Sequence, residues 1–412
     1  SPLLLINYTI FERRKILSSK LCIISEYNPF HFGHLYHLNE SISQTDTDFK
    51  VAIISGNFVQ RGEPSIINKW EKAKVALSAG FDLVLELPTL YAISSAENFA
   101  NGSIKIADQI GSNYISFGSE SGDLEKLKKL SSLINKNEKE YITNVKGKIA
   151  EGFSYPKSQE LVIDKMFGNE FLGVCKPNNI LGLEYLKSLN AISSNITPIT
   201  VKRDLDKSSS SDVRALLRTS GFKIENLKNS IPDFSYEILA ENIENGNAVL
   251  SLKAFEKEII YILRTIDNER LKNIPDVPEN MLSNLKKIAC STNSLDELIT
   301  ALKNKSITQA RIQRILLYIL LGITKSDMEL SKRITPYVRV LGMSENGKKI
   351  LSDISKDINV ITSVKAFEKT CDDSDLLRML EIDKKATDIY TLAYVKDSVA
   401  NLDYTTRIQT NF

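Results

Sequence analysis

The three histidines of this 412-residue chain all lie within seven positions near its N-terminus. They are His31, His34 and His37, in the stretch HFGHLYH, and Gly33 stands between the first two. An imidazole N–H can donate to a phosphate oxygen and stabilise the charge that develops on a leaving group. A glycine beside it lets a flat base or a ribose approach the backbone. The cluster therefore points to chemistry on a phosphorylated ligand.

Two other interpretations of the histidines compete with this one. A metal site is disfavoured because Pro29 and Gly33 interrupt the helix that would align the rings, and no HExxH pattern is present. Ordinary structural histidines would not be expected to be confined to one short stretch. We therefore predict phosphate handling and no metal ligand among the three.

The surrounding elements predict how the histidines are presented. The apolar strand at 21–25 ends in the turn Asn28-Pro29-Phe30, and a helix begins near Gly33. In parallel α/β sheets ligands bind at the carboxyl ends of strands, and a helix N-terminus there offers free N–H groups to anions. This context resembles the HxGH motif of the nucleotidylyltransferase superfamily.

A second anion-binding element follows the last predicted strand, 196–201. Lys202 and Arg203 precede the serine-rich turn 207–211, which leads through Asp212 to Arg214. Serines before a helix can cap it and present N–H and O–H donors to phosphates. A flexible serine loop is the alternative.

The alternation of elements predicts the fold class. Apolar strands at 21–25, 51–55, 82–87, 114–117 and 196–201 alternate with helical stretches, which favours a parallel sheet covered on both faces. We predict an α/β, Rossmann-like parallel sheet of the HxGH nucleotidylyltransferase type, followed by a mostly α-helical C-terminal domain. The predicted divisions are an N-terminal appendage at 1–18, a catalytic domain at 19–230 and a helical tRNA-binding domain at 231–412.

Composition restricts the partners and the compartment. The net charge is only +2, so a nucleic-acid surface must be a local patch. Such a patch is available at 303–349, with ten lysines and arginines against three acidic residues, although a solvated face is the alternative. No apolar run reaches the ~20 residues of a membrane span. At the N-terminus the apolar residues precede the basic ones, which is the reverse of a signal peptide. The four cysteines are far apart in the sequence, so no disulfide framework is expected. We therefore expect a cytoplasmic protein without a membrane partner.

Several motifs together resemble one family, the bacterial tRNA(Met) cytidine acetate ligases. They are EYNPFHFGHLYH at 26–37, SGNFVQRGEP at 55–64, DLVLELP at 82–88, SAENFA at 95–100, FGSE at 117–120, PNNILGLEY at 177–185 and, more weakly, TQARIQRILL at 308–317. The resemblance implies that ATP and acetate form acetyl-adenylate and that the acetyl group then passes to the wobble cytidine of elongator tRNA(Met). It also implies Mg²⁺ as a companion of ATP.

The resemblance further implies a nucleotide site. His31 and His34 would be its catalytic residues, stabilising the triphosphate and the leaving pyrophosphate. Asn57, Gln60 and Arg61 are candidates for a neighbouring wall of the pocket, unless they form a surface loop. The implied nucleotide-binding residues are Ile24, Ser25, Glu26, Tyr27, Asn28, Pro29, Phe30, His31, Phe32, Gly33, His34, Leu35, Tyr36, His37, Gly118, Asn179 and Arg203.

The predicted tRNA-contacting residues share the basic segment. They are Arg311, Arg314, Lys332, Arg333 and Arg339. Two alternative functions remain open from sequence: an adenylyltransferase acting on a small metabolite, and a non-catalytic RNA-binding protein on a nucleotidylyltransferase fold.

Overall fold

The structure, a computed structural model, describes residues 18–171, 173–204, 209–219, 223–304, 307–396 and 398–411. The predicted appendage, apart from its last residue, lies outside the described residues. Lys207 and Ser208 of the serine-rich turn lie outside them as well.

A mostly parallel central sheet positions the rest of the molecule. Its strands run in the order β10-β8-β5-β2-β1-β6-β7, with β9 beside β8, while β3 and β4 form a separate hairpin. The strands are β1 (Lys20–Ser25), β2 (Phe49–Ser55), β3 (Phe58–Val59), β4 (Glu63–Pro64), β5 (Leu83–Leu87), β6 (Tyr114–Ser119), β7 (Thr197–Lys202), β8 (Val338–Met343), β9 (Val360–Ile361) and β10 (Gln409–Thr410). The five strands predicted before residue 230 are β1, β2, β5, β6 and β7, so the predicted parallel α/β fold is confirmed.

Strand β1 shows why both faces of the sheet are covered. Leu21 and Ile23 belong to one buried apolar cluster, whereas Cys22 and Ile24 belong to another. Because side chains alternate across a strand, the two clusters lie on opposite faces. A strand that is buried on both faces reads as a continuous apolar run, which is how the sequence predicted it.

Helices pack on both faces of this sheet. Those up to residue 219 are α1 (Phe32–Ser43), α2 (Lys69–Ser78), α3 (Thr89–Ala92), α4 (Ala96–Gln109), α5 (Leu124–Lys136), α6 (Glu138–Ala150), α7 (Tyr155–Phe167), α8 (Pro177–Ala191) and α9 (Ser210–Thr219). Those after it are α10 (Asp233–Glu244), α11 (Glu256–Thr265), α12 (Asn268–Lys272), α13 (Glu279–Ser291), α14 (Leu295–Leu302), α15 (Gln309–Leu321), α16 (Lys325–Arg333), α17 (Glu345–Asp353), α18 (Val364–Thr370), α19 (Ser374–Tyr390) and α20 (Leu402–Thr405). Within the described chain, no helix is long and apolar enough to span a bilayer.

The part of the chain after residue 230 is mostly helical, as predicted, but it also completes the sheet. Strand β8 pairs antiparallel with β5, and β9 and β10 pair parallel with β8. Without β8, the edge of β5 would leave a row of unpaired backbone groups. The sheet therefore crosses the boundary predicted at about 230.

A buried cluster of charges lies where β8 joins the sheet. Lys69 Nζ is 3.1 Å from Glu86 Oε1 and 2.7 Å from Asp403 Oδ1. Arg339, on β8, pairs with Asp403 and lies 3.3 Å from Glu86 Oε2. Only 4% of Arg339 is exposed, so the prediction that Arg339 contacts tRNA is wrong. Its guanidinium is enclosed between carboxylates and has no path to a phosphate.

Candidate active site

A cavity of about 360 Å³ opens at the carboxyl ends of β1, β6 and β7. The first turns of α1, α8 and α9 also contribute to its lining. Each helix N-terminus carries free N–H groups and a partial positive charge, so three of them at one cavity favour a polyanion.

The structure brings most of the predicted nucleotide site together at this cavity. The predicted residues that line it are Ile24, Ser25, Glu26, His31, Gly33, His34, Tyr36, His37, Gly118 and Arg203. The predicted residues that do not line it are Tyr27, Asn28, Pro29, Phe30, Phe32, Leu35 and Asn179. Tyr27 and Phe30 are instead core residues with ring centroids 4.8 Å apart, and Phe32 is exposed.

His31 and His34 form a reciprocal cap at the start of α1. His31 Nδ1 accepts from Gly33 N at 3.0 Å, and His34 Nδ1 accepts from His31 N at 3.2 Å. The two ring centroids are 3.8 Å apart. Because each Nδ1 accepts, a neutral ring must carry its proton on Nε2. The cap therefore gives the cavity two Nε2–H donors side by side.

His37 is held differently, by two serines below the cavity. Ser41 Oγ donates to the carbonyl oxygen of His37 at 2.6 Å, and it lies 2.6 Å from Ser116 Oγ. Because the Ser41 hydroxyl proton is used in the first bond, the Ser116 hydroxyl must donate to Ser41 Oγ. Ser116 Oγ is then the acceptor for His37 Nε2, which lies 2.9 Å away. This chain of hydrogen bonds fastens α1 to β6.

All three imidazoles are neutral at neutral pH. Burial, followed by the charges of Arg203 and Arg214, lowers the pKa of His31 to about 4. Burial and Arg203 lower the pKa of His37 to about 4 as well. Burial and the neighbouring histidines keep the pKa of His34 well below its usual value. The histidines thus act as neutral donors, and the arginines supply the positive charge.

Gly118 and Arg203 meet at the ends of β6 and β7. Arg203 N donates to Ser119 O at 2.9 Å, and a Cβ at Gly118 would lie 3.5 Å from Arg203 Cγ. A side chain at position 118 would therefore lie against the aliphatic part of Arg203 and take up space in the cavity that both residues line. The pairing supports the predicted close approach of a ligand at Gly118.

Asn179 supports the site from behind. It is 1% exposed, and its Oδ1 accepts from Glu120 N at 3.0 Å. The Glu120 carboxylate in turn accepts from Asn179 N at 3.0 Å and from Asn178 Nδ2 at 2.8 Å. This exchange joins the end of β6 to the start of α8 and places Asn178 in the lining. Sequence reasoning named Asn179 and missed its neighbour.

The serine-rich turn reaches the cavity through its described residues. Ser209, Ser210, Ser211 and Arg214 all line it. Arg214 Nη1 donates to the carbonyl oxygen of Asn28 at 2.7 Å, which ties α9 to the turn before α1. The prediction of a second anion-binding element is consistent with this placement.

Lys72 is a buried lysine next to the site that sequence reasoning did not single out. Its Nζ donates to Glu26 O and to Ser65 Oγ, both at 2.9 Å, and also to Ser55 O. It thereby fixes the ends of β1 and β2 beneath the cavity. Burial lowers the pKa of Lys72 to about 7, although Glu26 and Glu86 oppose the shift. The only sequence signal is a lysine on the apolar face of α2.

The predicted second wall of the pocket is partly present. Gln60 and Arg61 line the cavity. Asn57 does not, because its Oδ1 accepts from Lys69 N at 2.9 Å and its Nδ2 donates to Thr387 Oγ1 at 3.1 Å. Asn57 is therefore a buried structural residue.

The predicted tRNA-contacting residues do not form one face. Arg311 Nη2 donates to Asp276 O at 3.0 Å, whereas Arg314 Nη1 turns to Gln60 O at 3.3 Å. Lys332 and Arg333 are exposed on α16 and pair with Glu329 at 2.8 Å and Asp375 at 2.6 Å. Only the α16 pair has the exposure that a phosphate contact requires.

Carboxylates are sparse in this cavity. Glu26 and Asp204 line it, and Glu26 Oε1 already accepts from Gln60 N at 2.7 Å. Among the described residues, no group of three or more His, Cys, Asp or Glu side chains is arranged to hold a metal ion.

Comparison with known proteins places these features in a family. A family model described as HIGH Nucleotidyl Transferase matches residues 19–404. A tRNA(Met) cytidine acetate ligase of Caldanaerobacter subterraneus subsp. tengcongensis is 42% identical over 93% of this chain and 98% of its own length. One from Acetivibrio thermocellus is 38% identical over 91% of this chain and 95% of its own.

A solved structure agrees with the fold. Thermotoga maritima TmcAL, bound with alpha-thio ATP, superposes with a TM-score of 0.90 at 31% sequence identity. The match covers 95% of this chain and 99% of that protein.

Proposed function

Because this chain belongs to the tRNA(Met) cytidine acetate ligases within the HIGH nucleotidyl transferases, we propose that it acetylates the wobble cytidine of elongator tRNA(Met) with ATP and acetate. In the first step an acetate oxygen attacks the α-phosphorus of ATP, and the bond to pyrophosphate breaks. In the second, the exocyclic amine of the cytidine attacks the acetyl carbon, AMP leaves, and the amine loses a proton. The product is N4-acetylcytidine.

One observation carries the adenylation step: the His31–His34 cap presents two Nε2–H donors at a helix N-terminus in a cavity that Arg203 and Arg214 also line. Pyrophosphate gains negative charge as it leaves, and fixed donors at that place stabilise the transition state. Neutral imidazoles suit the task because their donors are set by the cap and do not depend on protonation at neutral pH.

No side chain need form a covalent bond to the substrate. Attack of a carboxylate on phosphorus depends chiefly on orientation and charge neutralisation. Arg203 beside Gly118 would grip the nucleotide, and Ser209–Ser211 with Arg214 would contact its phosphates.

Mg²⁺ fits this site as a companion of ATP rather than as a resident of the protein. With Glu26 and Asp204 as the carboxylates that line the cavity, the phosphates and water would supply most of its ligands. It would neutralise phosphate charge, while the residues described above orient the nucleotide.

We assign tRNA binding to the helical part after residue 230 and nucleotide chemistry to 19–230. Lys332 and Arg333 on α16 are the exposed candidates for backbone contacts. Such contacts neutralise phosphates and depend on salt concentration.

The experiment incubates the chain with labelled acetate, ATP and total tRNA. Label on a cytidine of one methionine tRNA, lost in His34→Ala, is the expected result. A stable dinucleotide-type product formed without tRNA would instead show a metabolite adenylyltransferase. The absence of any ATP binding in calorimetry would show a non-catalytic RNA-binding protein.

A further inference from the structure

The β3–β4 hairpin brings a glutamine to the cavity. Gln60 stands at its tip, between Val59 and Glu63, and lines the cavity together with Arg61. The tip closes with a hydrogen bond from Gly62 N to Val59 O at 2.9 Å. Gln60 is therefore presented by a tight turn.

The backbone of Gln60 is held from two sides. Its N–H donates to Glu26 Oε1 at 2.7 Å, and its carbonyl oxygen accepts from Arg314 Nη1 at 3.3 Å. Gly62 has a φ of +77°, and a Cβ there would lie 2.5 Å from Arg314 N. The tip is thus packed directly against α15, which fixes where the Gln60 side chain starts.

The carboxamide of Gln60 lacks a partner for its donor. Nε2 is buried, and among the described residues nothing accepts a hydrogen bond from it. Buried amide donors are nearly always satisfied in folded proteins, because leaving one unpaired is costly. Because the Gln60 side chain lines the cavity, a turn of its carboxamide would offer this unpaired donor to a ligand group bound there.

The position of Gln60 indicates which group this is. Gly118 and Arg203, which we assign to the nucleotide, lie at the ends of β6 and β7, on one side of β1. Gln60 follows β2 and contacts Glu26 at the end of β1, which places it on the other side. A carboxylate that attacks the α-phosphorus must approach from the side opposite the leaving pyrophosphate. The residue that binds this carboxylate should therefore lie away from the residues that bind the nucleotide.

We propose that the Gln60 carboxamide binds the carboxylate of acetate and then the carbonyl oxygen of the acetyl group in the adenylate. The assignment rests on the proposed function, which it deepens by naming the acyl subsite. A neutral amide suits this role because it orients one carboxylate oxygen while leaving the negative charge on the oxygen that attacks. Arg314 is then a positioning residue that acts through the Gln60 backbone.

The test measures acetate-dependent ATP–pyrophosphate exchange without tRNA. Gln60→Glu keeps the shape of the side chain but replaces the donor with a charge that repels acetate. We expect the acetate concentration for half-maximal exchange to rise roughly tenfold or more, since a hydrogen bond to a charged group is lost. Binding of an ATP analogue, measured by calorimetry, should weaken much less than the acetate dependence. Gln60→Ala should shift acetate in the same direction by less, because it removes the donor without adding charge.

Gln309→Glu is the matched control. It makes the same chemical change at an exposed position in the first turn of α15 and should leave the acetate dependence unaltered. Unchanged acetate dependence in Gln60→Glu, or an equal loss of nucleotide affinity, would overturn the acyl subsite while the proposed function stands. Absence of acetate-dependent exchange in the unmodified chain would overturn the proposed function and the subsite together.

Discussion

The His31 and His34 rings are locked to each other through the backbone that they cap. His31 N donates to His34 Nδ1 at 3.2 Å, while His31 Nδ1 accepts from Gly33 N at 3.0 Å. One pair of interactions thus begins α1 and fixes which nitrogen of each ring carries the proton. The motif combines a structural role with a chemical one, and the two roles reside on different nitrogens.

A substitution that keeps the capping acceptor of His31 but removes its Nε2–H donor tests the two roles separately. In His31→Asn the side-chain oxygen can still accept from Gly33 N, as asparagine does at helix N-caps, but the Nε2–H donor is gone. We expect acetate-dependent exchange to fall about 10²–10³-fold, the usual loss for one such donor, with stability retained. His31→Ala should lose the same activity and also about 1 kcal/mol of stability. Exchange at the wild-type rate in His31→Asn would remove His31 from the chemistry.

The buried histidines also predict how stability depends on pH. Their folded pKa values, about 4 for His31 and His37, lie below the ordinary 6.5, so the unfolded chain binds more protons in between. Their contribution to stability is therefore complete above pH 6.5 and is lost as the pH falls toward 4. Each group should contribute a slope of about 1.4 kcal/mol per pH unit in that window.

Urea unfolding across this pH range checks the histidine prediction. His37→Asn removes one titrating group, so its slope should be shallower than that of the unmodified chain even if the variant is less stable overall. Parallel pH profiles for the two proteins would show that His37 is not held neutral in the folded state.

The N-terminal half of the fold could be predicted from sequence because its signals are local. The apolar run of β1, the Asn28-Pro29-Phe30 turn and the HxGH spacing lie in one stretch, and the strand order of a parallel α/β sheet then gathers Gly118 and Arg203 beside it. Strand β8 could not be predicted in this way. It pairs with β5 across some 250 residues of chain.

The roles of individual basic residues depended on the same long-range packing. Arg314 and Arg339 belong to a segment with a local excess of positive charge, but one contacts the Gln60 backbone and the other is enclosed by Glu86 and Asp403. Charge counting along the chain cannot separate such residues from exposed ones. Of the five residues predicted to contact tRNA, Lys332 and Arg333 on α16 are the two that are exposed.

The Arg339 correction makes a prediction of its own. Arg339→Met should lower the free energy of unfolding by about 3–5 kcal/mol, because it leaves the buried carboxylates of Glu86 and Asp403 short of a cation. Urea unfolding measures this change. The exposed Arg333→Met is the control and should shift stability by no more than about 1 kcal/mol. A stable Arg339→Met protein with weakened tRNA binding would restore Arg339 to the RNA surface.

The last prediction concerns that surface. If Lys332 and Arg333 contact tRNA phosphates, changing both to alanine should weaken tRNA binding and reduce its salt dependence by about one unit of logarithmic slope per residue. Acetate-dependent exchange without tRNA should be unaffected, because neither residue lies at the cavity. Lys139→Ala with Lys146→Ala removes the same charge from exposed positions on α6 and should leave the slope unchanged. Equal effects of the two double variants would mean that the tRNA senses net charge alone, and α16 would lose its assignment.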